Sequence, residues 1–334
     1  MLLALIGCGT DELPPLTDAK SLECPKAGDL PFRLETTGFV HGENATLAKN
    51  DPRVKDESSD TMGNPGGVVA SVYLADSAMP TATPIAYRGA KARTSLTGGL
   101  FAMPLAGENV SLWTYDGTAW QTIGRTQTGD DGYYELPSTG FVAANGTPIY
   151  SMLEADGSCS EHYDYLLPAG TKVVVADIDG TLTSSDNEEF MQIGDETYTP
   201  VMMGAADKLT QTWAMKGYTV IYLTARPSVF RNETRNWLRD LMFSAGPLVT
   251  APTVEDAAIY KTLWLKRMID TFGWQVVAAY GNADTDIIAY NNAGIPKAQT
   301  FIVGPLAGNS GTVAIPNMDY TDHIATYVTA QPNQ

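Results

Sequence analysis

Two different hydrophobic patterns divide the chain into an N-terminal and a C-terminal part. Between residues 30 and 167, short runs rich in Val, Tyr, Trp and Thr alternate with Gly, Pro, Asn and Asp, which is typical of β-strands joined by turns. After Pro168-Ala169-Gly170, short apolar runs alternate with longer segments whose apolar residues recur near helical spacing. We therefore predict a β domain over residues 30–167 and an α/β domain with a parallel sheet over residues 168–334.

The most regular part of the β domain is the segment 109–136. Asp116-Gly117 is a hairpin signal between two strands, and a second turn follows around Gly132. The segment resembles Ig-like and prealbumin-like β-sandwich modules, which implies a sandwich that serves as a spacer or docking platform. Such a likeness indicates architecture and carries no information about catalysis.

In the α/β domain, four apolar runs predict buried parallel strands, because both faces of such strands are covered. They are Val173–Ala176, Thr219–Leu223, Gln275–Tyr280 and Phe301–Val303. Helices are predicted over residues 200–216, 228–243 and 255–272, and from Asp286 to a closing Gly294. Pro227 is expected in the first turn of the second helix.

Three arginines, Arg231, Arg235 and Arg239, repeat every four residues along that second helix. Such a stripe either lies near an anionic substrate or lipid surface, or is a solvated helix face. We expect the solvated face. Arg226 is the better candidate for a substrate contact, because it lies at the end of a predicted strand.

Polar side chains follow three of the predicted strands, where ligands bind in open α/β sheets. Asp177 and Asp179 follow the first strand, Thr224 the second and Asn282 the third. Two carboxylates at close range repel each other, and Mg²⁺, which prefers hard oxygen ligands, would relieve that repulsion. The first carboxylate can then attack phosphorus, while the second donates a proton to the leaving oxygen and later accepts one from water.

Four further residues extend this site, against the alternative that the two aspartates are only a solvated pair at a strand end. Gly180 permits a tight turn, and Thr181 is expected to cap it. Lys261 is expected to neutralise a phosphoryl oxygen and the first aspartate together. Asp286 lies four residues after Asn282 and forms a second cation half-site with it.

The order and strand context of these groups resemble the haloacid dehalogenase superfamily of aspartate-dependent phosphatases. Over residues 172–306, the segments ADIDGTLTSSD, YLTARPSVFRNETRNWLRD, SAGPLVTAP, YKTLWLKRMID and AAYGNADTDIIAYNNAGIP are similar to the lipin-type (LNS2) catalytic domain. The resemblance implies a Rossmann-like three-layer domain without a large cap. It also implies Mg²⁺-dependent phosphatidate phosphatase activity through an aspartyl-phosphate, giving diacylglycerol and phosphate.

The resemblance also assigns roles to individual residues. Asp177 would be the nucleophile and Asp179 the acid/base. Thr224 and Lys261 would hold the phosphoryl group, with Gly180, Thr181 and Arg226 in contact with the substrate. Mg²⁺ would be held by Asp177, by the main chain of Asp179, and by Asn282 or Asp286.

Two alternatives to a lipid phosphatase stay open at this point. One is an uncapped phosphatase for another phosphomonoester, and the other is a non-catalytic phosphatidate-binding module. The gaps between Asp179, Thr224 and Lys261 are too short for a large cap domain, so the site is expected to be open. A module that only binds has no need of both Asp177 and Asp179, which favours an enzyme.

Composition narrows the partners of the protein. The net charge of −17 argues against nucleic-acid binding and against loose electrostatic attachment to anionic lipid. Residues 2–8, LLALIGC, resemble a bacterial lipobox, which implies cleavage before Cys8 and lipid on its sulfur. Residues 1–29 would then be a signal-like segment and tether, and the protein an extracytoplasmic lipoprotein in the periplasm or outer membrane, or a secreted protein if it is not lipidated.

The remaining cysteines and the histidines carry weaker expectations. Cys24 and Cys159 either pair as a disulfide or are two free thiols, and we expect pairing if the protein is extracytoplasmic. No segment after residue 8 is long and apolar enough to span a membrane. His41, His162 and His323 are expected to be structural or exposed.

Overall fold

The computed structural model describes most of the chain from residue 101 onward and shorter pieces before it. The described residues are 38–39, 54–55, 60–64, 69–71, 87–91, 93–96, 101–130, 132–136, 146, 148–188, 191–192, 198–227, 230–251 and 256–334. Cys8, Cys24 and His41 therefore lie outside the described residues. Cys159 is disulfide-bonded, and its pairing with Cys24 stays a prediction.

The N-terminal part is built of β-strands, as its pattern predicted. They are β1 (Val54–Lys55), β2 (Thr61–Gly63), β3 (Val69–Ser71), β4 (Tyr87–Lys91), β5 (Arg93–Leu96), β6 (Phe101–Pro104), β7 (Asn109–Tyr115), β8 (Trp120–Gln127), β9 (Tyr133–Leu136), β10 (Pro148–Leu153) and β11 (Cys159–Leu166). The largest sheet has the order β3-β2-β11-β10-β7-β8, with smaller sheets β1-β5-β6 and β4-β9. The specific Ig-like or prealbumin-like sandwich stays a prediction.

The predicted hairpin is confirmed between β7 and β8. The Asp116 carboxylate accepts main-chain N–H groups of Thr118 and Ala119, both at 2.8 Å, and Gly117 has a φ of +95°. These donors hold the pKa of Asp116 below its ordinary value. The turn is therefore closed by the side chain that the Asp-Gly signal supplied.

The C-terminal part is an α/β domain with a parallel sheet, which confirms the predicted class. Its strands are β12 (Lys172–Ala176), β13 (Thr219–Pro227), β14 (Leu248–Ala251), β15 (Gln275–Gly281), β16 (Thr300–Val303) and β17 (Val313–Ile315), in the order β14-β13-β12-β15-β16-β17. Its α-helices are α1 (Ala206–Met215), α2 (Arg231–Asp240), α3 (Ala257–Lys266), α4 (Asp284–Asn292) and α5 (Thr321–His323). Two π-helical segments, Arg267–Thr271 and Ile324–Val328, follow α3 and α5, and single 3₁₀ turns lie at Lys297–Gln299, Gly304–Leu306, Asn309–Gly311 and Pro316–Met318.

The strand β12 shows why its apolar run is continuous. Val173 and Val175 belong to a buried cluster that includes Trp264 of α3, whereas Val174 and Ala176 belong to a second cluster on the other face. The second cluster includes side chains of α1 and α2. Both faces of the strand are thus covered by helices, which favours apolar residues at every position.

Strand order places the predicted site. The strand β12 pairs with β13 on one side and with β15 on the other, so the direction of chain progression reverses between β12 and β15. Open α/β sheets bind ligands outside the carboxyl ends of the strands at this switch point. Asp177 follows β12, and Asn282 follows β15.

Two predicted helix starts are wrong. The helix α2 begins at Arg231, and Pro227 is instead the last residue of β13, because that strand continues past Leu223 through the polar segment. The helix α1 begins at Ala206 instead of Pro200. Met202 pairs with Thr183 in an isolated β-bridge and Ala205 has a left-handed φ of 55°, so the chain enters the helix late.

The predicted solvated arginine stripe is also wrong for two of its three members. Arg231 is fully buried and donates to Asp60 Oδ1 at 2.6 Å, while Arg235 is 9% exposed and donates to Asp60 Oδ2. Asp60 also accepts main-chain N–H groups of Tyr163, at 2.9 Å, and Leu248, at 2.8 Å. This buried group, which we call the Asp60 cluster, joins the β-domain part of the chain to α2 and β14.

The pKa of Asp60 reflects these partners. Burial alone would raise the pKa of this carboxyl, but the guanidinium groups of Arg235 and Arg231 and the two main-chain donors outweigh it. The pKa is therefore held below its ordinary value, and the ionised form is the stable one.

Two remaining expectations concern membranes and histidines. Within the described residues, none of the helices has the length and apolar character needed to cross a membrane. His162 and His323 are both buried, which agrees with a structural role.

Candidate active site

Asp177 lies at the centre of the site, directly after β12. Its main-chain N–H donates to the Tyr280 carbonyl at 3.0 Å, which ties the end of β12 to β15. Its buried carboxylate is shared between two donors: Oδ1 accepts from Lys261 Nζ at 2.6 Å, and Oδ2 accepts from Thr181 Oγ1 at 3.3 Å. Because the second bond is long, Oδ2 is the oxygen that is freer to react.

Lys261 is brought to this point by α3. The Asp256 side chain caps that helix by accepting N–H groups of Ala258, at 3.0 Å, and Ile259, at 3.1 Å. One turn later, the buried ammonium of Lys261 also donates to Asp286 Oδ1 at 2.7 Å. One cation thus bridges two buried carboxylates, and the predicted contact of Lys261 with a phosphoryl oxygen stays a prediction.

The pKa values of this pair follow from burial and from the surplus of carboxylates. Burial raises the pKa of Asp177 to about 8, Lys261 opposes that rise, and Asp286 and Asp179 add to it. Burial would lower the pKa of Lys261, but Asp177 and Asp286 outweigh it and raise the value. Lys261 therefore stays protonated, and its single positive charge offsets only one of the two carboxylates.

Asp286 is the most enclosed member of the site. Its Oδ2 accepts the N–H groups of Asn282, at 3.0 Å, and Ala283, at 3.1 Å, so both carboxylate oxygens are already engaged. A Cβ on Gly281 would lie 2.5 Å from Asp286 Cβ, which explains the glycine at the end of β15. Of the two alternatives for a cation ligand, this arrangement favours Asn282.

The turn after β12 requires glycine at position 180. Gly180 has a φ of +65°, and a Cβ on it would lie 2.1 Å from Asn282 Nδ2. Its N–H donates to Thr183 Oγ1 at 2.9 Å, so Thr183 caps the turn. The prediction that Thr181 caps it is wrong. The hydroxyl of Thr181 instead faces the acidic site, where it lies 3.2 Å from Asn282 Oδ1.

Asp179 points away from Lys261 and is held by Arg226. The guanidinium donates to Asp179 Oδ1 through Nη2 at 2.7 Å and to Oδ2 through Nε at 2.9 Å. Thr224 Oγ1 donates to Asp179 Oδ2 at 3.3 Å and accepts the Arg226 N–H at 3.1 Å. Arg226 is 1% exposed and lies against Asp179, and its predicted substrate contact stays a prediction.

The donor set of the site suits a small divalent cation. Asp177 Oδ2 and Asn282 Oδ1 both approach the Thr181 hydroxyl, so two acceptor oxygens converge beside the turn. The three aspartates predicted for the site face only two cationic side chains, which leaves one negative charge without a counter-charge. Among the described residues, no three His, Cys, Asp or Glu side chains meet as ligands. A cation would therefore depend on Asp177, the Asn282 amide oxygen and the Asp179 carbonyl.

Three residues at this site were not found from the sequence. Asp186 Oδ1 accepts from Asn282 Nδ2 at 2.7 Å, Thr234 Oγ1 accepts from Arg226 Nη1 at 3.1 Å, and Thr183 caps the turn. Thr183 follows Gly180 by three residues, which is a local signal for a turn cap. Asp186 and Thr234 meet their partners only through the tertiary fold.

Comparison with known proteins agrees with the motifs of the α/β domain. Residues 174–304 match the family model for the LNS2 domain of PITM 1-3. The membrane-associated phosphatidylinositol transfer protein 3 of Mus musculus is 27% identical over 213 residues, which cover 62% of this chain and 21% of that protein. The phosphatidate phosphatase PAH1 of Arabidopsis thaliana is 32% identical over 155 residues, which cover 40% of this chain and 17% of that protein.

A third relative has the same character. Protein retinal degeneration B of Drosophila melanogaster is 28% identical over 194 residues, covering 58% of this chain and 15% of that protein. The chain thus spans about a fifth or less of the length of these relatives. Among solved structures, a chain of the Pnkp1/Rnl/Hen1 RNA repair complex has a TM-score of 0.30 at 13% identity, covering 43% of this chain and 42% of that one, which is too low to support an argument.

Proposed function

Because residues 174–304 are an LNS2-type domain, we propose that the protein is a Mg²⁺-dependent phosphatidate phosphatase that works through an aspartyl-phosphate intermediate. The observation that carries the proposal is the bridge from Lys261 to Asp177 and Asp286, beside a second aspartate held separately by Arg226. A buried carboxylate with one weakly bonded oxygen, next to a fixed cation, suits attack on a phosphoryl group.

The chemistry follows from the two aspartates. Asp177 attacks phosphorus through one carboxylate oxygen and forms the acyl phosphate, while Lys261 offsets the charge on the phosphoryl oxygens. Asp179 donates a proton to the departing alcohol oxygen and then accepts one from the water that hydrolyses the acyl phosphate. Thr224, within the neighbouring strand β13, orients Asp179 and is proposed to contact a phosphoryl oxygen.

The residues present fit Mg²⁺, which would be held by Asp177, the main-chain carbonyl of Asp179 and the side chain of Asn282. When bound, it supplies positive charge beside the phosphoryl oxygens and offsets the surplus negative charge of the site. Thr181 keeps the two side-chain oxygens close together, and Gly180 leaves room for the asparagine.

A lipid phosphate is the preferred substrate for two reasons. One similar protein is called a phosphatidate phosphatase and others are called phosphatidylinositol transfer proteins, so lipid phosphates are the chemistry common to their names. The short gaps between the strand-end residues leave no room for a large cap domain, and an uncapped site can accept a headgroup that stays in a membrane. A different phosphomonoester is the alternative substrate.

The transfer-protein relatives favour a second candidate, a lipid-binding module without turnover. The site in this chain argues for the enzyme, because binding alone requires no separately oriented second carboxylate. Asp179 has its own two-pronged arginine partner, which fixes the orientation of this carboxylate separately from Asp177.

The expected test is phosphate release from phosphatidate in mixed micelles, with and without Mg²⁺. Wild type should release phosphate only with the cation, and Asp177→Asn should release none. Release from soluble esters but not from phosphatidate would favour the alternative substrate. Tight binding to phosphatidate vesicles without release would favour the lipid-binding module.

We also propose that the protein is an extracytoplasmic lipoprotein whose lipid on Cys8 brings the site to a membrane. The support is the lipobox resemblance of residues 2–8. A Cys8→Ala protein should leave the membrane fraction after cell lysis, whereas retention would contradict lipidation.

A further inference from the structure

A buried path joins the β-domain part of the chain to the proposed acid/base Asp179, through polar contacts at each end and the backbone of α2 between them. It begins at Asp60, which precedes β2 and binds Arg231 and Arg235 of α2. Thr234 lies between these two arginines on the same helix and accepts from Arg226 Nη1 at 3.1 Å. Arg226 in turn holds both carboxylate oxygens of Asp179.

The side chains on this path are buried apart from the last. Asp60, Arg231 and Thr234 are fully buried, Arg226 is 1% exposed and Arg235 is 9% exposed, whereas 17% of the Asp179 side chain is exposed. Buried side chains that are hydrogen-bonded hold one another in position. Asp179, at the end of the path, is thus the member that is accessible from the site.

We propose that the β domain positions the acid/base: Asp60 anchors α2, and Thr234 of that helix sets Arg226 and thereby Asp179. This rests on the proposed phosphatase function. Asp60 and Thr234 are positioning residues, since neither touches the site, and Arg226 is the contact through which they act. The β domain is then more than the spacer or docking platform expected from its sequence.

The helix α2 is suited to this role by its spacing. Positions 231, 234 and 235 lie on one face of a helix, because they differ by three and four residues. The outer positions fix the helix to Asp60, and the middle one reaches Arg226. The Ser160 hydroxyl also donates to Asn232 at 3.1 Å, and Arg231 Nη1 donates to the Glu161 carbonyl at 2.9 Å, so β11 holds the same turn.

Leaving-group dependence separates positioning from mere structural support. An acid is needed when the departing group is an alcohol, and far less when it is 4-nitrophenolate. A variant that misplaces Asp179 should therefore lose kcat/KM on phosphatidate and keep it on 4-nitrophenyl phosphate. A variant that only weakens the fold should lose both alike.

The main test variant is Thr234→Val, which keeps the shape of the side chain and removes the nearer of two acceptors of Arg226 Nη1, the other being Gln192 Oε1 at 3.3 Å. In the full chain, kcat/KM for phosphatidate should fall about 10-fold, and for 4-nitrophenyl phosphate less than about twofold. Thr234→Ser should restore both values. Arg239→Gln, at a half-buried position one turn after Arg235, is the matched control and should change neither.

Asp60→Asn tests the far end of the path. In protein shown to be folded by near-UV circular dichroism, it should give the same selective loss on phosphatidate. Equal losses on both esters, or no loss on either, in folded Thr234→Val would overturn the proposal.

A second readout keeps this proposal separate from the proposed function. If wild type releases phosphate from neither ester, the proposed phosphatase function is wrong. The buried path can then still be tested by ¹⁵N-arginine NMR. The Nε–H of Arg226 should exchange slowly in wild type and Thr234→Ser, and at least about 10-fold faster in Thr234→Val and Asp60→Asn. Equal exchange in all four proteins would overturn the path.

Discussion

Asp60 and Asp177 are both buried and contact cationic side chains, yet their environments shift their pKa values in opposite directions. Asp60 accepts two arginines and two main-chain N–H groups, and its pKa is lowered in spite of burial. Asp177 has one lysine that it shares with Asp286, one long bond from Thr181, and a raised pKa of about 8.

The difference lies in what each carboxylate still lacks. Asp60 has donors on both oxygens, and the nearby carbonyls of Glu161 and Gly246 each accept one further arginine N–H group. The buried Nε atoms of Arg231 and Arg235 have no partner among the described residues, so it is the carboxylate that is fully partnered and not the whole cluster. The site around Asp177 has more negative than positive charge and one carboxylate oxygen that is weakly bonded. Burial is common to both, and incomplete partnership distinguishes the proposed nucleophile from the structural carboxylate.

The largest expected effect comes from Asp177→Asn. Phosphate release should fall by a factor on the order of 10⁴ or more, because the nucleophile is lost. The same change removes a buried carboxylate that lacks a full counter-charge. The unfolding free energy of the metal-free variant should therefore be about 1 kcal/mol higher than that of wild type. Urea unfolding in EDTA measures the second effect. A clear loss of stability would mean that Asp177 is structural in the way Asp60 is.

Asp60→Asn should lower the unfolding free energy, whereas Asp177→Asn should raise it. Two buried guanidinium groups would lose their counter-charge, and breaking a buried pair in this way costs about 3–5 kcal/mol of unfolding free energy. Asp240→Asn removes an exposed carboxylate that pairs with Arg239 at 3.2 Å, and should cost less than about 0.5 kcal/mol. Urea unfolding of both variants provides the test. Equal small changes would remove the contrast between the two aspartates.

His323 supplies a third case, a buried titratable group whose pKa is lowered to about 4 by burial. Its Nε2 lies 2.9 Å from the Tyr280 hydroxyl, and its ring packs on Phe301 and Tyr327. Because the folded pKa lies below that of the unfolded chain, stability is complete above about pH 6.5 and falls as pH decreases toward 4.

The size of this fall should be about 2–3 kcal/mol, since one pKa unit corresponds to about 1.4 kcal/mol. His323→Gln keeps a hydrogen-bonding group and cannot take up the proton, so its stability should change less over that interval. Thermal unfolding of the two proteins at pH 7, 6, 5 and 4 gives the comparison. Parallel curves would show that His323 is not the group responsible.

The members of the Asp177 site could be predicted because each follows a strand whose apolar run is visible in the sequence. Parallel strands end at one edge, so Asp177, Thr224 and Asn282 had to meet there. Lys261 was found differently, from its place near the start of a predicted helix, since the strand Leu248–Ala251 before that helix was not predicted. The apolar runs predicted where the strands lie, and the polar residues after them predicted the chemistry of the site.

The Asp60 cluster could not be predicted in this way. Asp60 lies 171 positions from Arg231 and 188 from Leu248, and nothing local distinguishes it among the 38 acidic residues of the chain. Arginines four residues apart are typical of a solvated helix face, and here a carboxylate from another part of the chain reverses that expectation. Pro227 was misplaced for a related reason, because pairing with β14 extends β13 beyond its apolar run.

Asp186 should give the smallest effect, on the cation alone. Its carboxylate accepts the Asn282 amide Nδ2–H at 2.7 Å, which turns Oδ1 of that amide toward Thr181 and Asp177. In Asp186→Ala the amide can rotate, so the Mg²⁺ concentration for half-maximal phosphate release should rise about 10-fold. The rate at saturating Mg²⁺ should stay within about twofold, because no reacting group is removed.

The matched control for this prediction is Asp284→Ala, which removes an exposed carboxylate two residues after Asn282. If Asp186 acts by orienting the amide, Asp284→Ala should leave the Mg²⁺ requirement within about twofold of wild type. Equal shifts in the two variants would mean that Asp186 contributes only negative charge near the cation. The Asn282 amide would then be oriented without a hydrogen-bond partner of its own, unlike the arginines that Asp60 holds in place.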